Sequence, residues 1–327
     1  MTQKFRLNKS SFINRNKKIS FKFNGKKYFG YEGDTLASAL LSNGVHLVGR
    51  SFKYHRPRGF IGAGVEESNA QVQLYTGAKT EPNAIATTVE LVEGLVAKSQ
   101  NCWPSVNFDL GAINNFLSKF FPAGFYYKTF MWPRSFWYKI YEPVIRKAAG
   151  LGVAPLKPDP DRYDHKFEFC DILVVGSGPS GLASALSAAK NGARVILAED
   201  KPRFGGSLLT DDVTIGNKKG KEWAEETILQ LKSMPNVIIK NRSQVFGYYD
   251  HNMMVMTEKV KDHIENPSKF TPRQRLWYIR AKEVIISTGS IERPLIFGNN
   301  DRPGVMLASA AKEYMKIYAV IVGKKPI

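Results

Sequence analysis

The N-terminal part of the chain alternates apolar and polar positions, which is the pattern of a strand with one buried face. Residues 19–23 alternate in this way, and the dipeptide Asn24-Gly25 follows them directly. Because Asn-Gly favours a two-residue hairpin turn, residues 27–31 are predicted to form the return strand.

A short helix and further strands are predicted after this hairpin. Asp34 and Thr35 can cap a helix from residue 36 to about residue 42, which Gly44 would end. Strands are expected over residues 70–75 and 87–95. A hairpin, a helix and then more strands is the order of a β-grasp, the α+β fold of plant-type ferredoxins. We assign residues 17–100 to this domain, after a basic N-terminal extension over residues 1–16.

The cysteine content excludes an iron–sulfur cluster in the β-grasp domain. The chain has only two cysteines, Cys102 and Cys170, and a ferredoxin cluster needs four. Where a plant-type ferredoxin carries its cysteine loop, this chain has Phe-Ile-Gly-Ala-Gly-Val at residues 60–65. The domain is therefore predicted to be a scaffold or docking module without cluster cysteines, and no metal site is expected.

In the middle of the chain the apolar pattern becomes continuous, as in strands that are buried on both faces. Residues 172–175 form such a run, and the glycine triplet Gly176, Gly178 and Gly181 opens a helix of small residues directly after it. The first glycine permits a tight turn, the second lets a diphosphate approach the main chain, and the third lets the helix lie close to the strand. A diphosphate would then lie at the N-terminus of that helix.

A second apolar run, residues 195–198, ends in Glu199, which is placed to accept the ribose hydroxyls of a dinucleotide. The adjacent glycines Gly205 and Gly206 let the chain pass close to a cofactor, and Thr288-Gly289 closes another buried strand pattern. The residues predicted to bind the cofactor are Gly176, Ser177, Gly178, Pro179, Ser180, Gly181, Glu199, Asp200, Lys201, Gly205, Gly206, Ser207, Thr288 and Gly289.

These motifs predict an α/β, Rossmann-like FAD/NAD(P)-binding domain of the two-dinucleotide-binding-domain flavoprotein type over residues 166–327. A small strand meander is expected before the strand at residues 283–288, from alternating segments near residues 245–249, 253–257 and 276–281. A helix is predicted over residues 308–318, and residues 319–322 are expected to approach another strand. On this interpretation the domain is truncated at its C-terminal end.

Residues 101–165 are predicted to be an aromatic-rich wrap and linker. Twelve aromatic residues lie between Phe116 and Tyr141, and no helical or strand period continues for long. Such a segment either packs against the rest of its own chain or binds a partner. Because aromatic side chains are usually buried within their own chain, the first interpretation is favoured. Residues 156–161 are expected to be an extended linker.

Charge and composition narrow the class of protein. The net charge is +18, and residues 1–60 hold 13 Lys or Arg against the two acids Glu32 and Asp34. No nucleic-acid-binding motif accompanies this charge, so a solvated face or an acidic partner is favoured. The sequence shows no secretory signal and no apolar run long enough to cross a bilayer, and a cytoplasmic protein is expected. Its five histidines are scattered, so no catalytic residue is assigned.

Taken together, these motifs resemble the alpha subunit of heterotetrameric sarcosine oxidase. Related subunits of dye-linked amino-acid or opine dehydrogenases share the later motifs and are one alternative to this family. A non-catalytic nucleotide-binding docking subunit is the other. The matching stretches are residues 49–59, 121–132, 148–152, 176–181, 292–294 and 301–307.

The resemblance implies an oxidoreductase assembly acting on CH–NH donors, which demethylates sarcosine to glycine and passes the one-carbon unit to tetrahydrofolate. NAD is then the expected cofactor at the glycine motif, and FAD would fit the same geometry. A flavin-binding beta subunit and smaller subunits are the implied partners, with a flavin in them or at their interface. We therefore expect this chain to be inactive without partner subunits.

Overall fold

The computed structural model describes residues 3–9, 11–122, 124 and 129–323, and the chain divides into two units. The N-terminal unit comprises Met1–Pro160 together with Glu292–Ile327, and the central unit comprises Asp161–Ile291. This division differs from the domain boundaries expected from the sequence, because the last segment clusters with the N-terminal unit instead of continuing the dinucleotide domain.

The N-terminal unit contains a five-stranded sheet of β-grasp order. Its strands lie in the order β2-β1-β7-β5-β6, with β1 and β7 parallel in the middle. A two-stranded sheet, β3–β4, lies outside it. The strands are β1 (Asn14–Phe23), β2 (Lys26–Glu32), β3 (Gly49–Arg50), β4 (Pro57–Arg58), β5 (Gln71–Leu74), β6 (Glu81–Ile85) and β7 (Val96–Ser99). The helices are α1 (Leu36–Ser42), α2 (Ile113–Phe116), α3 (Glu142–Ala149) and a last helix at Ala308–Tyr318. Helix α3 directly follows a π-helical turn at Trp137–Tyr141.

The predicted hairpin and first helix are confirmed. Asn24 and Gly25 both have positive φ, of 50° and 78°, as a two-residue hairpin turn of the expected type requires. Helix α1 begins after Thr35, whose side chain accepts a hydrogen bond from the Ser38 amide while the Ser38 hydroxyl accepts one from the Thr35 amide. All seven residues of α1 are buried, so this helix covers the sheet.

One strand prediction in this unit is wrong. Residues 87–95 form turns and a single bridge between Thr35 and Glu90, and the strand itself begins at Val96. Gly94, with φ of 76°, turns the chain immediately before that strand. After the C-terminal helix the chain also turns, at Ala319 (φ 52°), so that Val320 makes an isolated bridge to Arg6.

The aromatic segment exposes many of its rings. Phe116 is 91% exposed, Trp132 84% and Tyr138 83%. Its main chain is nevertheless held to the N-terminal unit, because Tyr54 donates a hydrogen bond to the Phe121 carbonyl oxygen. Packing against its own chain is therefore wrong for these rings. Phe125, Tyr126 and Tyr127 lie outside the described residues.

The N-terminal residues pair with the end of the chain. The amides of Leu7 and Phe12 donate to the carbonyl oxygens of Ala319 and Ile317, at 2.8 and 3.0 Å. Arg6 forms a buried ion pair with Asp34 at 2.6 Å, and it also donates to the carbonyl oxygen of Tyr318. These contacts explain why residues after 292 cluster with the N-terminal unit.

The central unit is built on a six-stranded sheet in the order β12-β9-β8-β15-β14-β13. The first four strands in this order are parallel, whereas β14 pairs antiparallel with β15, and β13 pairs antiparallel with β14. The strands are β8 (Tyr163–Val175), β9 (Val195–Ala198), β10 (Thr214–Ile215), β11 (Lys218–Lys219), β12 (Val237–Lys240), β13 (Ser243–Tyr249), β14 (Met253–Lys259) and β15 (Gln274–Ile286), with β10 and β11 forming a separate pair. The helices are α4 (Pro179–Lys190) and α5 (Gly220–Lys232), and the C-terminal helix is numbered α6 (Ala308–Tyr318).

Successive residues of the central strands point to two apolar cores. Val174 and Leu197 pack with Leu182 of α4 and with the apolar side of α5. Leu173 and Ile196 face the other way and pack with Trp277 and its neighbours. The predicted meander and the predicted final strand prove to be connected, since β15 runs without a break from residue 274 to residue 286.

We predict that Arg6→Met lowers the free energy of unfolding of the N-terminal unit by roughly 3–5 kcal/mol, because it leaves the buried Asp34 carboxylate without its cation. The Asp34 side chain is fully buried, and the Arg6 side chain is 5% exposed. Urea unfolding measures the loss. The matched control is Lys17→Met, which breaks the exposed pair with Glu32 and should cost less than about 1 kcal/mol. Equal effects of the two substitutions would contradict the prediction.

Candidate functional site

The glycine turn after β8 lies where two strand ends meet. Gly176 has φ of 97°, and a Cβ there would lie 2.3 Å from the carbonyl oxygen of Ser287. Ser287 directly follows β15, and its amide donates to the Val175 carbonyl oxygen at 2.7 Å. Only glycine satisfies both the backbone conformation and this close approach.

The start of α4 is shaped by the other two glycines of the motif. A Cβ at Gly181 would lie 2.0 Å from the Gly176 carbonyl oxygen, so the helix rests directly on the turn. Gly178 is the N-cap, Pro179 is at the first helical position, and no side chain caps the helix. A Cβ at Gly178 would meet no atom within 4 Å. The main chain at Gly178 can therefore be approached closely by a ligand, and the helix N-terminus beside it favours an anion.

Glu199, at the end of β9, is tied to this turn. It is 7% exposed, and its Oε2 accepts hydrogen bonds from the Ser177 amide (2.9 Å) and the Ser177 hydroxyl. Its Oε1 accepts one from the Lys201 amide at 3.0 Å. Burial, with neighbouring Asp200 acting in the same direction, raises the pKa of Glu199 to about 7. Ionisation of Glu199 therefore lowers the free energy of unfolding as the pH rises from 4.5, the ordinary pKa of a glutamate, towards 7.

The second glycine pair lies against the first. The Gly205 amide donates to the Ser177 carbonyl oxygen at 3.0 Å, and a Cβ at Gly206 would lie 2.9 Å from the Cα of Gly178. Both glycines have positive φ. Ser207 follows in a 3₁₀ turn, where its carbonyl oxygen accepts hydrogen bonds from the amides of Thr210 and Asp211, at 3.0 and 2.9 Å.

The structure thus brings most of the predicted residues to one edge of the sheet. Thr288 lies beside Gly176, because β15 and β8 end in register, and Gly289 follows it with φ of 70°. Asp200 and Lys201 are exposed neighbours of Glu199. Ser287 was missed by the sequence analysis, although its place before Thr288-Gly289 at the end of an apolar run was a usable signal.

The other side chains that could carry chemistry have structural roles or are inert. His55 pairs with the buried carboxylate of Asp109 at 2.7 Å, which is a structural role. Burial raises the pKa of both thiols, that of Cys170 to about 12, so neither is a reactive thiolate. In the described part of the chain no group of three or more His, Cys, Asp or Glu side chains could hold a metal ion.

Arg293 and Arg302 lie in the N-terminal unit. Both belong to the segment from residue 292 onward, and Arg302 contacts the side chain of Asn299. Their neighbour Glu292 accepts hydrogen bonds from the amides of Ala308 and Ser309 at the start of α6. In the part of the chain that the structure covers, no helix is long and apolar enough to cross a membrane.

Comparison with known protein families agrees with these two units. A family model described as a 2Fe-2S iron-sulfur cluster binding domain matches residues 16–102, and one described as an FAD dependent oxidoreductase matches residues 171–269. The predicted fold class, a ferredoxin-like domain followed by a Rossmann-like domain, is confirmed. The first model's cluster does not fit this chain, because only Cys102 of its two cysteines lies in the matched range.

Sequence relatives extend over nearly the whole chain. The alpha subunit of sarcosine oxidase from Rhizobium meliloti (strain 1021) is 53% identical over 98% of this chain and 33% of its own length. The chain is homologous to sarcosine oxidase alpha subunits. The alpha subunit from Corynebacterium sp. (strain U-96) is 33% identical over 96% of this chain and 28% of its own length. The chain therefore spans about a third of the length of these relatives.

Among solved structures, the L-proline dehydrogenase from P. horikoshii is similar in fold. It superposes with a TM-score of 0.64 and 20% sequence identity, over 98% of this chain and 50% of that one. The similarity supports the same succession of ferredoxin-like and dinucleotide-binding folds.

We predict that Gly181→Ala destabilises the central unit by roughly 2–4 kcal/mol, because its methyl group would overlap the Gly176 carbonyl oxygen. Gly178→Ala is the matched control in the same turn. With φ of −67° and open space around its Cβ, it should cost less than about 1 kcal/mol. Thermal unfolding of both variants tests this, and a Gly181→Ala variant as stable as the wild type would show that the helix does not rest on the turn.

Proposed function

We propose that the central unit binds the ADP half of an adenine dinucleotide across the turn at Gly176–Gly181. The observation that carries the proposal is the open approach to the Gly178 main chain beside an uncapped helix N-terminus. Main-chain amides and the helix dipole would hold the diphosphate there. Glu199 would accept the ribose hydroxyls, and Gly205, Gly206 and Thr288 would line the same edge of the sheet.

Two dinucleotides, NAD and FAD, contain this ADP half. The FAD dependent oxidoreductase model over residues 171–269 supports a flavin, whereas the resemblance to sarcosine oxidase alpha subunits implies NAD. Glu199 disfavours a 2′-phosphate, which argues against NADP, although Lys201 and Arg203 lie close in sequence and oppose that preference. Either dinucleotide, when bound, supplies a ring that accepts or donates a hydride.

We propose further that the chain serves an oxidoreductase that acts on the CH–NH group of a secondary amine, with sarcosine as the substrate. The support is 53% identity to a sarcosine oxidase alpha subunit over 98% of this chain. Among the described residues at the dinucleotide edge there is no histidine, and both oxygens of Glu199 accept hydrogen bonds from Ser177 and Lys201, so no general base for amine oxidation is assigned there. Amine oxidation, and the transfer of the one-carbon unit to tetrahydrofolate, would then depend on other parts of the assembly.

The exposed aromatic segment supports a role in such an assembly. Phe116, Trp132 and Tyr138 expose large rings on a main chain that is anchored by Tyr54 and Lys53. Large exposed aromatic rings are typical of protein interfaces. We propose that this surface binds a partner subunit, with the flavin-binding subunit as the first candidate.

Calorimetric titration of the protein with ADP, NAD and FAD tests the proposed site, and visible absorbance after purification reports any flavin that it retains. We expect ADP to bind and to compete with one of the two dinucleotides. Gly178→Ala should weaken this binding by roughly tenfold or more, because its methyl group would project to where the diphosphate lies, while it should cost less than about 1 kcal/mol of stability. Failure of all three ligands to bind, or equal affinity of the variant, would refute the site.

Nucleotide affinity should also depend on pH through Glu199. Its pKa of about 7 means that acidification protonates the carboxylate and removes an acceptor for the ribose hydroxyls. Between about pH 8 and about pH 6 we expect affinity for ADP to fall up to tenfold. Glu199→Gln should bind weakly and without this pH dependence. A wild-type profile that is flat, or that rises towards acid, would show that Glu199 does not contact the ribose.

A further inference from the structure

The ferredoxin-like loop of the N-terminal unit keeps a shape suited to an anion, although the chain lacks the cysteines for a cluster. Backbone amides that converge on one point form anion-binding concavities, and iron–sulfur clusters in other proteins lie in such concavities. In this chain residues 61–64 and 69–70 supply six converging amides. The group that accepts their hydrogen bonds belongs to the chain itself.

Glu67 accepts four of these six hydrogen bonds. Its Oε2 receives the amides of Ile61 and Gly62 at 2.7 and 2.9 Å, and its Oε1 receives those of Asn69 and Ala70 at 2.6 and 3.0 Å. The residue is only 3% exposed. A buried carboxylate with two amides on each oxygen is well matched to a ring of donors.

Glu66 accepts the other two of the six hydrogen bonds. Its Oε1 receives the amides of Ala63 and Gly64 at 2.7 and 2.9 Å. A Cβ at Gly62 would lie 2.7 Å from Oε1 of Glu66, and a Cβ at Gly64 would lie 2.8 Å from its Oε2. The two glycines therefore leave the space in which this carboxylate lies.

The outer side of the loop is held by hydrogen bonds to its carbonyl groups. The buried Tyr314 donates to the Gly62 carbonyl oxygen at 2.9 Å, and Thr87 donates to that of Gly64 at 2.6 Å. The Leu307 amide donates to the Ile61 carbonyl oxygen at 2.9 Å. With amides and carbonyls both bonded, the loop is fixed from both sides.

We propose that Glu66 and Glu67 act as a built-in anion that takes the place of a cluster and holds the ferredoxin-like loop in its folded shape. The N-terminal unit then keeps the ferredoxin fold as a rigid scaffold and carries no electrons through this loop. The inference concerns residues of the N-terminal unit alone and is independent of dinucleotide binding by the central unit.

The substitution Glu67→Gln tests the proposal sharply. A carboxamide has one acceptor oxygen and one donor NH₂ group, so in either orientation it turns a donor towards two backbone amides. Hydrogen–deuterium exchange of the full chain should show the amides of Ile61, Gly62, Asn69 and Ala70 exchanging roughly tenfold faster or more. Unchanged exchange at these four amides would overturn the proposal.

Glu66 offers a matched pair of variants in case Glu67→Gln does not fold. Because only one of its oxygens accepts amides, Glu66→Gln can keep both hydrogen bonds, whereas Glu66→Ala loses them. We expect exchange at Ala63 and Gly64 to rise roughly tenfold in Glu66→Ala and to stay within about threefold of wild type in Glu66→Gln. Exchange at the wild-type rate in Glu66→Ala would show that the Glu66 carboxylate does not hold these two amides.

A chemical test addresses the cluster directly. The wild-type protein, incubated anaerobically with ferrous iron and sulfide and then desalted, should retain no iron and show no visible absorption of a cluster. Retention of about one [2Fe–2S] cluster per chain would overturn the proposal.

Discussion

The candidate site depends on how closely main chains approach one another at the carboxyl ends of β8 and β15. Gly176 lies against the Ser287 carbonyl, Gly181 lies against the Gly176 carbonyl, and Gly206 lies against the Cα of Gly178. Three segments of backbone, residues 176–181, Ser287 and Gly206, therefore meet at glycine positions. Parallel pairing brings the two strand ends level, and glycine is what allows the remaining segments to close around them.

Buried carboxylates serve the same purpose in both units of this basic protein. Among the described residues the buried acids are Asp34, Glu67, Asp109 and Glu199, and each accepts at least one hydrogen bond from a main-chain amide. Burying a carboxylate is costly unless such donors surround it. The buried carboxylates of this chain therefore hold loops in place, and the Glu199 carboxylate does so at the edge where a ribose would bind.

Local sequence signals predicted those elements whose shape is decided by a few neighbouring residues. The turn at Asn24-Gly25, the capped helix α1 and the glycine turn after β8 all belong to this group. The strand expected over residues 87–95 failed because Gly94 turns the chain and pairing begins only beyond it. The acceptor role of Glu67 could not be predicted, since its donors lie on both sides of it in a folded loop and no periodic pattern marks them.

The positions of the site residues bear on how the proposed activity is divided. Every predicted contact to the dinucleotide, from Gly176 to Gly289, lies within the central unit. On the proposal above, nucleotide binding would therefore need only interactions that this one unit provides. Amine oxidation needs in addition a base and a substrate pocket, and neither is assigned to residues at this edge. On this proposal, nucleotide affinity and turnover depend on different groups. A variant such as Gly178→Ala should therefore weaken nucleotide binding while the fold is kept. Its effect on turnover in an assembly would then report whether the bound dinucleotide takes part in the chemistry.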